Sequence, residues 1–122
     1  MMKEPIFACL DVETTGLTND KLPADHPSQP RLAHLAMVYL DADLEVTGHD
    51  DIYVKPEGWT MPDEVFAING LTTKFLNDYG RPIGEVLDLY ARAILSGLAI
   101  VGWNIAFDLK VVRGECRRAG ST

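Results

Sequence analysis

The segment Ile6-Phe7-Ala8-Cys9-Leu10-Asp11-Val12-Glu13-Thr14-Thr15-Gly16-Leu17 constrains this chain more than any other. An apolar run reads as a buried strand and delivers two carboxylates, Asp11 and Glu13, two positions apart. On a strand that spacing puts both side chains on one face, because side chains alternate with period two. Neighbouring carboxylates repel, which leaves two readings. Either this is an acidic strand end in water, or a divalent cation holds the pair, and hard oxygen ligands suit Mg²⁺ or Mn²⁺. Thr14-Thr15-Gly16 then reads as a turn, with Gly16 taking a positive φ or letting a ligand approach the backbone.

At 122 residues, 47% apolar and 24% charged, the chain has the make-up of one globular domain with a proper core. No apolar run approaches the ~20 residues of a membrane span, and nothing at the start reads as a signal peptide. The two cysteines, Cys9 and Cys116, lie in apolar patterns without zinc spacing, so buried free thiols in a reducing cytoplasm are expected. A formal charge of −7 argues against a protein that grips nucleic acid through a broad basic surface. It leaves room for an enzyme that meets phosphate through bound metal ions, which supply their own positive charge.

The remaining pattern predicts a mixed α/β layer. Thr18 to Arg31, with Pro23, Pro27 and Pro30, reads as an exposed loop. Arg31 to Leu40, apolar on both parities, predicts a strand covered on both faces; after a tight turn at Asp41–Asp43, Leu44 to Val54 returns as a third strand. Helices are predicted over Pro62–Ile68, from a Thr72 or Thr73 cap to Tyr79, and over Pro82–Ser96. Leu98 to Gly102 is a short strand, and Asn104 to Ala119 a last helix with Ile105, Leu109, Val112 and Cys116 as its apolar stripe. Three strands thus form an antiparallel meander, and a fourth follows the helices.

Val101-Gly102-Trp103-Asn104-Ile105-Ala106-Phe107-Asp108 is the second chemically loaded segment. Taken alone, Asn104 caps a helix and Asp108 favours its N-terminal dipole. Yet ligands of α/β sheets gather where strands hand over to helices, and this junction suits a place beside Asp11. Asp11-Val12-Glu13-Thr14-Thr15-Gly16-Leu17 resembles the first motif of the DEDD (DnaQ-like) 3′–5′ exonuclease superfamily. Asn104-Ile105-Ala106-Phe107-Asp108 resembles its second motif, and Ala67-Ile68-Asn69-Gly70-Leu71-Thr72 its connecting segment.

The resemblance implies a ribonuclease-H-like mixed sheet, a three-stranded antiparallel meander plus a parallel strand, with flanking helices. It implies hydrolysis of phosphodiester bonds at the 3′ end of single-stranded DNA or RNA by two Mg²⁺ or Mn²⁺ ions, ~3.5–4 Å apart in such sites. Asp11 then matches the carboxylate shared by both ions, Glu13 a ligand on the nucleophile side, and Asp108 the acid of the second motif. Thr14, Thr15, Gly16 and Leu17 match the segment that receives the terminal nucleotide, with Leu17 against its base, and Asn104 and Phe107 line or support that pocket. A second copy of the chain, or a polymerase or helicase, is compatible with it as a partner; a membrane is not.

Two departures stand out. Trp103 occupies the place where many relatives carry His, and packing is the expected role of such a side chain. The third motif, a histidine or tyrosine shortly before a fourth aspartate, has no match. His26, His34 and His49 are followed five positions later by Arg31, Tyr39 and Val54, and Tyr39 with Asp43 falls between the first two motifs. The three histidines therefore read as structural or solvated, and Lys110, Arg113, Arg117 and Arg118 as a solvated helix face. The expectation is that residues 1–122 form the N-terminal two-thirds of an exonuclease domain, with the C-terminal part missing, exposed apolar surface and a tendency to self-associate. The alternative is a catalytically inactive, exonuclease-like binding fragment.

Overall fold

A computed structural model describes residues 3–120. Four strands, β1 (Phe7–Thr14), β2 (Leu32–Leu40), β3 (Val46–Tyr53) and β4 (Ala99–Val101), form one sheet in the order β3-β2-β1-β4. β1 and β2 pair antiparallel, as do β2 and β3, while β4 runs parallel to β1. This is the mixed sheet predicted above. Four helices complete it: α1 (Asp63–Asn69), α2 (Thr73–Tyr79), α3 (Ile83–Leu95) and α4 (Ile105–Arg118). Among the described residues no helix is long and apolar enough to cross a membrane.

Period-two alternation decides what the sheet buries. Leu10 pairs with Met37 and Val12 with Leu35, and all four are buried on the face that also carries Val86 and Leu87 of α3 and Val111 and Val112 of α4. A smaller cluster, Ala33, Met61 and Leu76, sits with α1 and α2. The opposite face of β2 is half-open, with Val38 37% exposed. The expectation of a strand covered on both sides is therefore corrected: α3 and α4 pack on one face only. β3 also starts later than predicted. The Asp41 carboxylate accepts the N–H groups of Asp43 and Glu45, and Leu44 takes φ 64, so the turn extends through residue 45.

Two of the helix termini follow local capping chemistry. Thr72 accepts the N–H of Phe75 at the start of α2, and Gly97 with φ 81 follows α3. On α4 the buried residues are Asp108, Val111, Val112, Gly114 and Glu115, a stripe rotated from the apolar one predicted; Ile105, Leu109 and Cys116 are only half-buried. Glu115, 1% exposed, receives Nε and Nη2 of Arg31 and the N–H of Leu32, tying α4 to the start of β2.

The loop before β2 is likewise not merely exposed. Gln29 bonds Asn19, Leu22 and Pro23, and Lys110 and Arg118 reach the carbonyls of Asn19 and His26. Two members of the predicted solvated cation face thus anchor this loop instead. A Cβ on Gly114 would lie 2.3 Å from the Ala24 carbonyl oxygen, so only glycine lets the loop come this close.

Candidate nuclease site

The predicted site residues come from two elements that meet at the C-terminal end of β1. β1 presents Asp11 in water and Glu13 half-buried on the open face of the sheet. β4 ends at Gly102, where a Cβ would lie 2.7 Å from the Leu10 carbonyl oxygen. That close approach carries the chain over β1 and starts α4 beside it. Asp108, in the first turn of α4, is 4% exposed, and its Oδ2 has no hydrogen-bond partner among the described residues.

Electrostatics link the three acids. Burial first, then the negative charge of Asp11, push the Asp108 carboxyl up to about 6; the N–H groups of Val12 and Asp108 oppose the shift, and Glu13 adds to it. Glu13 is raised too, by burial and then by Asp11, while His34 lowers it. A buried carboxylate with an orphaned oxygen beside two like charges is an arrangement that a hard cation relieves, so the donor chemistry fits a divalent metal. As they lie, no three His, Cys, Asp or Glu side chains among the described residues stand together as a ready metal cage.

The turn after β1 is tightly held. The Thr14 hydroxyl donates to the Gly16 carbonyl, and the Thr15 hydroxyl accepts the N–H of Arg31, so both are engaged within the protein. Gly16 does not adopt the positive φ allowed for it, but a Cβ there would meet nothing within 4 Å, leaving its backbone open to approach. Leu17 is 88% exposed at the rim. A cleft of about 520 Å³ opens here, lined by Val12, Glu13, Thr14, Gly16, Leu17 and Phe107 and closed on its far side by Val65, Ile68 and Asn69 of α1. The α1 residues were not among the predicted site residues. Their signal was the segment Ala67–Thr72 and an apolar Ile68 that remains 86% exposed. Asn69 fixes α1 to the site by donating to the Thr14 carbonyl.

Two side chains depart from expectation. Asn104 stands at the N-cap position of α4, but with φ 51 and ψ 48 its side chain makes no cap bond. A capping side chain needs an extended backbone to reach the helix amides, whereas Asn tolerates the left-handed region that this sharp reversal demands. Trp103 does not pack: it is 95% exposed, thrown outward between Gly102, pressed on β1, and the left-handed Asn104. His34, which the sequence reads as structural or solvated, lies directly across from Glu13 in the β1–β2 pairing and on the same face.

The sequence model of the exonuclease family (RNase_T) matches residues 8–122. No curated protein matches the chain. Among solved structures, E. coli exonuclease I in complex with a 5cy-dA13 oligonucleotide superposes with TM-score 0.79 at 23% identity, covering 97% of this chain and 25% of that one. A moderately thermophilic exonuclease I from Methylocaldum szegediense gives TM-score 0.77 at 24% identity, over 92% and 23% of the two chains. An ExoI/SSB-Ct complex gives 0.73 at 24%, over 98% and 25%. The chain thus spans about a quarter of the length of these solved relatives, and at these identities the likeness speaks for the fold. The family match covers nearly all of the sequence and embraces both acidic motifs, so the chain belongs to the DEDD exonuclease family.

Proposed function

We propose that the protein is a metal-dependent 3′–5′ exonuclease that hydrolyses the terminal phosphodiester of single-stranded DNA or RNA. The observation that carries this reading is the buried Oδ2 of Asp108, without a hydrogen-bond partner among the described residues, beside the charges of Asp11 and Glu13. Asp11, Glu13 and Asp108 would hold two Mg²⁺ or Mn²⁺ ions, and such ions, when bound, lower the pKa of water and stabilise charge on a phosphate. The protein's own part is positional. Asp108, buried, would hold a cation in its carboxylate form, and Asp11, exposed at the end of β1, would be a further ligand. Thr14 and Thr15 hold the turn rigid, Gly16 leaves room for the nucleotide, and Leu17, Ile68 and Phe107 offer apolar surface to the terminal base. Asn104 and Phe107 border the neighbouring 290 Å³ cleft with Leu17.

The polarity, the metal and the roles of these residues are tested together by one assay. Oligonucleotides labelled at the 3′ or the 5′ end, as DNA and as RNA, are followed with Mg²⁺, Mn²⁺ or EDTA. Immediate loss of the 3′ label, only with metal, and loss of activity in Asp11→Asn and Asp108→Asn are expected. Release from the 5′ end, internal cutting or turnover in EDTA overturns the reading. That no three acidic side chains among the described residues stand together as a metal cage favours one alternative, a non-catalytic exonuclease-like binding protein. Binding without trimming, in every metal, would establish that alternative.

A further inference from the structure

Four rings stand in series across the open edge of the molecule. His34, opposite Glu13, stacks on Tyr53 with centroids 4.3 Å apart and planes at 21°. Tyr53 meets the edge of Phe75 at 4.8 Å, and Phe75 leans on Tyr79 at 4.9 Å and 37°. His34 is fixed further by Asp51, 3.3 Å from its Nε2. The inner rings pack beside Ala33, Met61 and Leu76, whereas Tyr79 is 67% exposed.

We propose that this row is a stacking track for single-stranded nucleic acid, along which bases upstream of the terminal nucleotide pass, with Tyr79 as its outer platform. The inference rests on the nuclease reading above and extends it to how the strand approaches. The row is continuous with the candidate site, since its first ring shares a sheet face with Glu13. Its outer ring is backed by another ring, so little side-chain freedom remains to be lost when a base stacks on it. Every base has a π-face, which makes such a platform tolerant of sequence. The net charge of −7 repels a phosphate backbone over most of the surface, but the segments that carry the row bring cations to its outer end. Lys55 is exposed without an ion-pair partner among the described residues, and Lys74, 86% exposed, holds only the surface pair with Asp78. An aromatic peptide would use the rings but has no need of these cations.

The test is anisotropy of 5′-labelled oligothymidylates of three and ten residues with the full-length protein in EDTA, where cleavage is suspended. Tyr79→Ala is expected to weaken the decamer by roughly 5- to 100-fold, and Tyr79→Trp to restore it. The penalty should shrink on the trimer, which has fewer bases upstream of the terminal nucleotide to place on the row. Equal decamer affinity of wild type and Tyr79→Ala overturns the track, as does full rescue by Tyr79→Leu, which would mean generic apolar contact. Thermal melts of the variants separate loss of binding from loss of fold. Trimming by the wild type, scored separately with Mg²⁺, keeps the two claims apart. A wild type that trims while Tyr79 proves silent sinks the track alone, and one that neither trims nor binds sinks both.

Discussion

At the scale of single residues, Asp108 shows a group whose burial opposes stability. Its carboxyl titrates at about 6 in the folded protein against 3.8 for the ordinary side chain. Between those values the folded state holds a proton that the unfolded state has lost, so stability falls as pH rises through that window and is flat above it. About two pH units of displacement correspond to about 3 kcal/mol at neutral pH. Asp108→Asn removes the charge and keeps the shape. In EDTA it should be more stable than wild type at pH 7.5 by up to about 3 kcal/mol, with the gap closing by pH 4. Urea titrations across that range check this, and a gap independent of pH would show that the carboxyl is not strained. Added Mn²⁺ should reverse the order by stabilising only the wild type, since a ligand that binds the folded state alone raises its stability. The acid itself was legible from its motif. Its burial was not, because the predicted apolar stripe of α4 faced another way.

At the scale of elements, the site depends on how α4 is fastened to the sheet. Glu115 lies on the same helical face as Asp108, seven residues on, and joins α4 to Arg31 and Leu32 at the head of β2. Glu115→Ala leaves the buried N–H of Leu32 unpaired and frees a partly exposed Arg31, so it should cost about 1–3 kcal/mol in denaturant unfolding. Arg31→Ala in the same chain should recover part of that loss, the coupling that a double-mutant cycle reads out. Simple addition of the two single effects would mean that the pair is not energetically linked. Gly114→Ala is a separate probe: its Cβ would press on the Ala24 carbonyl, and a cost of about 1–3 kcal/mol is expected from the forced shift of the loop. A melting temperature equal to wild type would show that the loop yields freely. None of this was legible, since Arg31 and Glu115 are 84 positions apart and a lone Glu on a polar helix looks solvated. The helices themselves were legible, because Thr72, Gly97 and the apolar spacing of α3 mark their ends by local chemistry alone.

At the scale of the whole molecule, periodicity and turn residues told the order of strands and helices, while contacts across the sheet stayed hidden. That order, with two acidic motifs at strand ends, was enough to place Asp11, Glu13 and Asp108 in one region. Register was not readable, so His34 was set aside although it faces Glu13. Nor was the one-sided cover of the sheet, because an apolar β2 looks the same whether one or both faces are packed. The charge balance, by contrast, is a property of the entire surface. With a net charge of −7, an unmetallated surface has little to offer a phosphate backbone. Several cations are already committed: Arg31 and Arg118 lie against Glu115, and Arg81 against Glu85. A single strand should therefore meet only about one to three cationic side chains, and log affinity should fall against log salt with a slope of about −1 to −2. Titrating NaCl from low to physiological strength in EDTA, where cleavage is suspended, measures it. A slope steeper than about −5 would require a basic surface that the described residues do not possess, and would move recognition away from the proposed acidic site and the aromatic row.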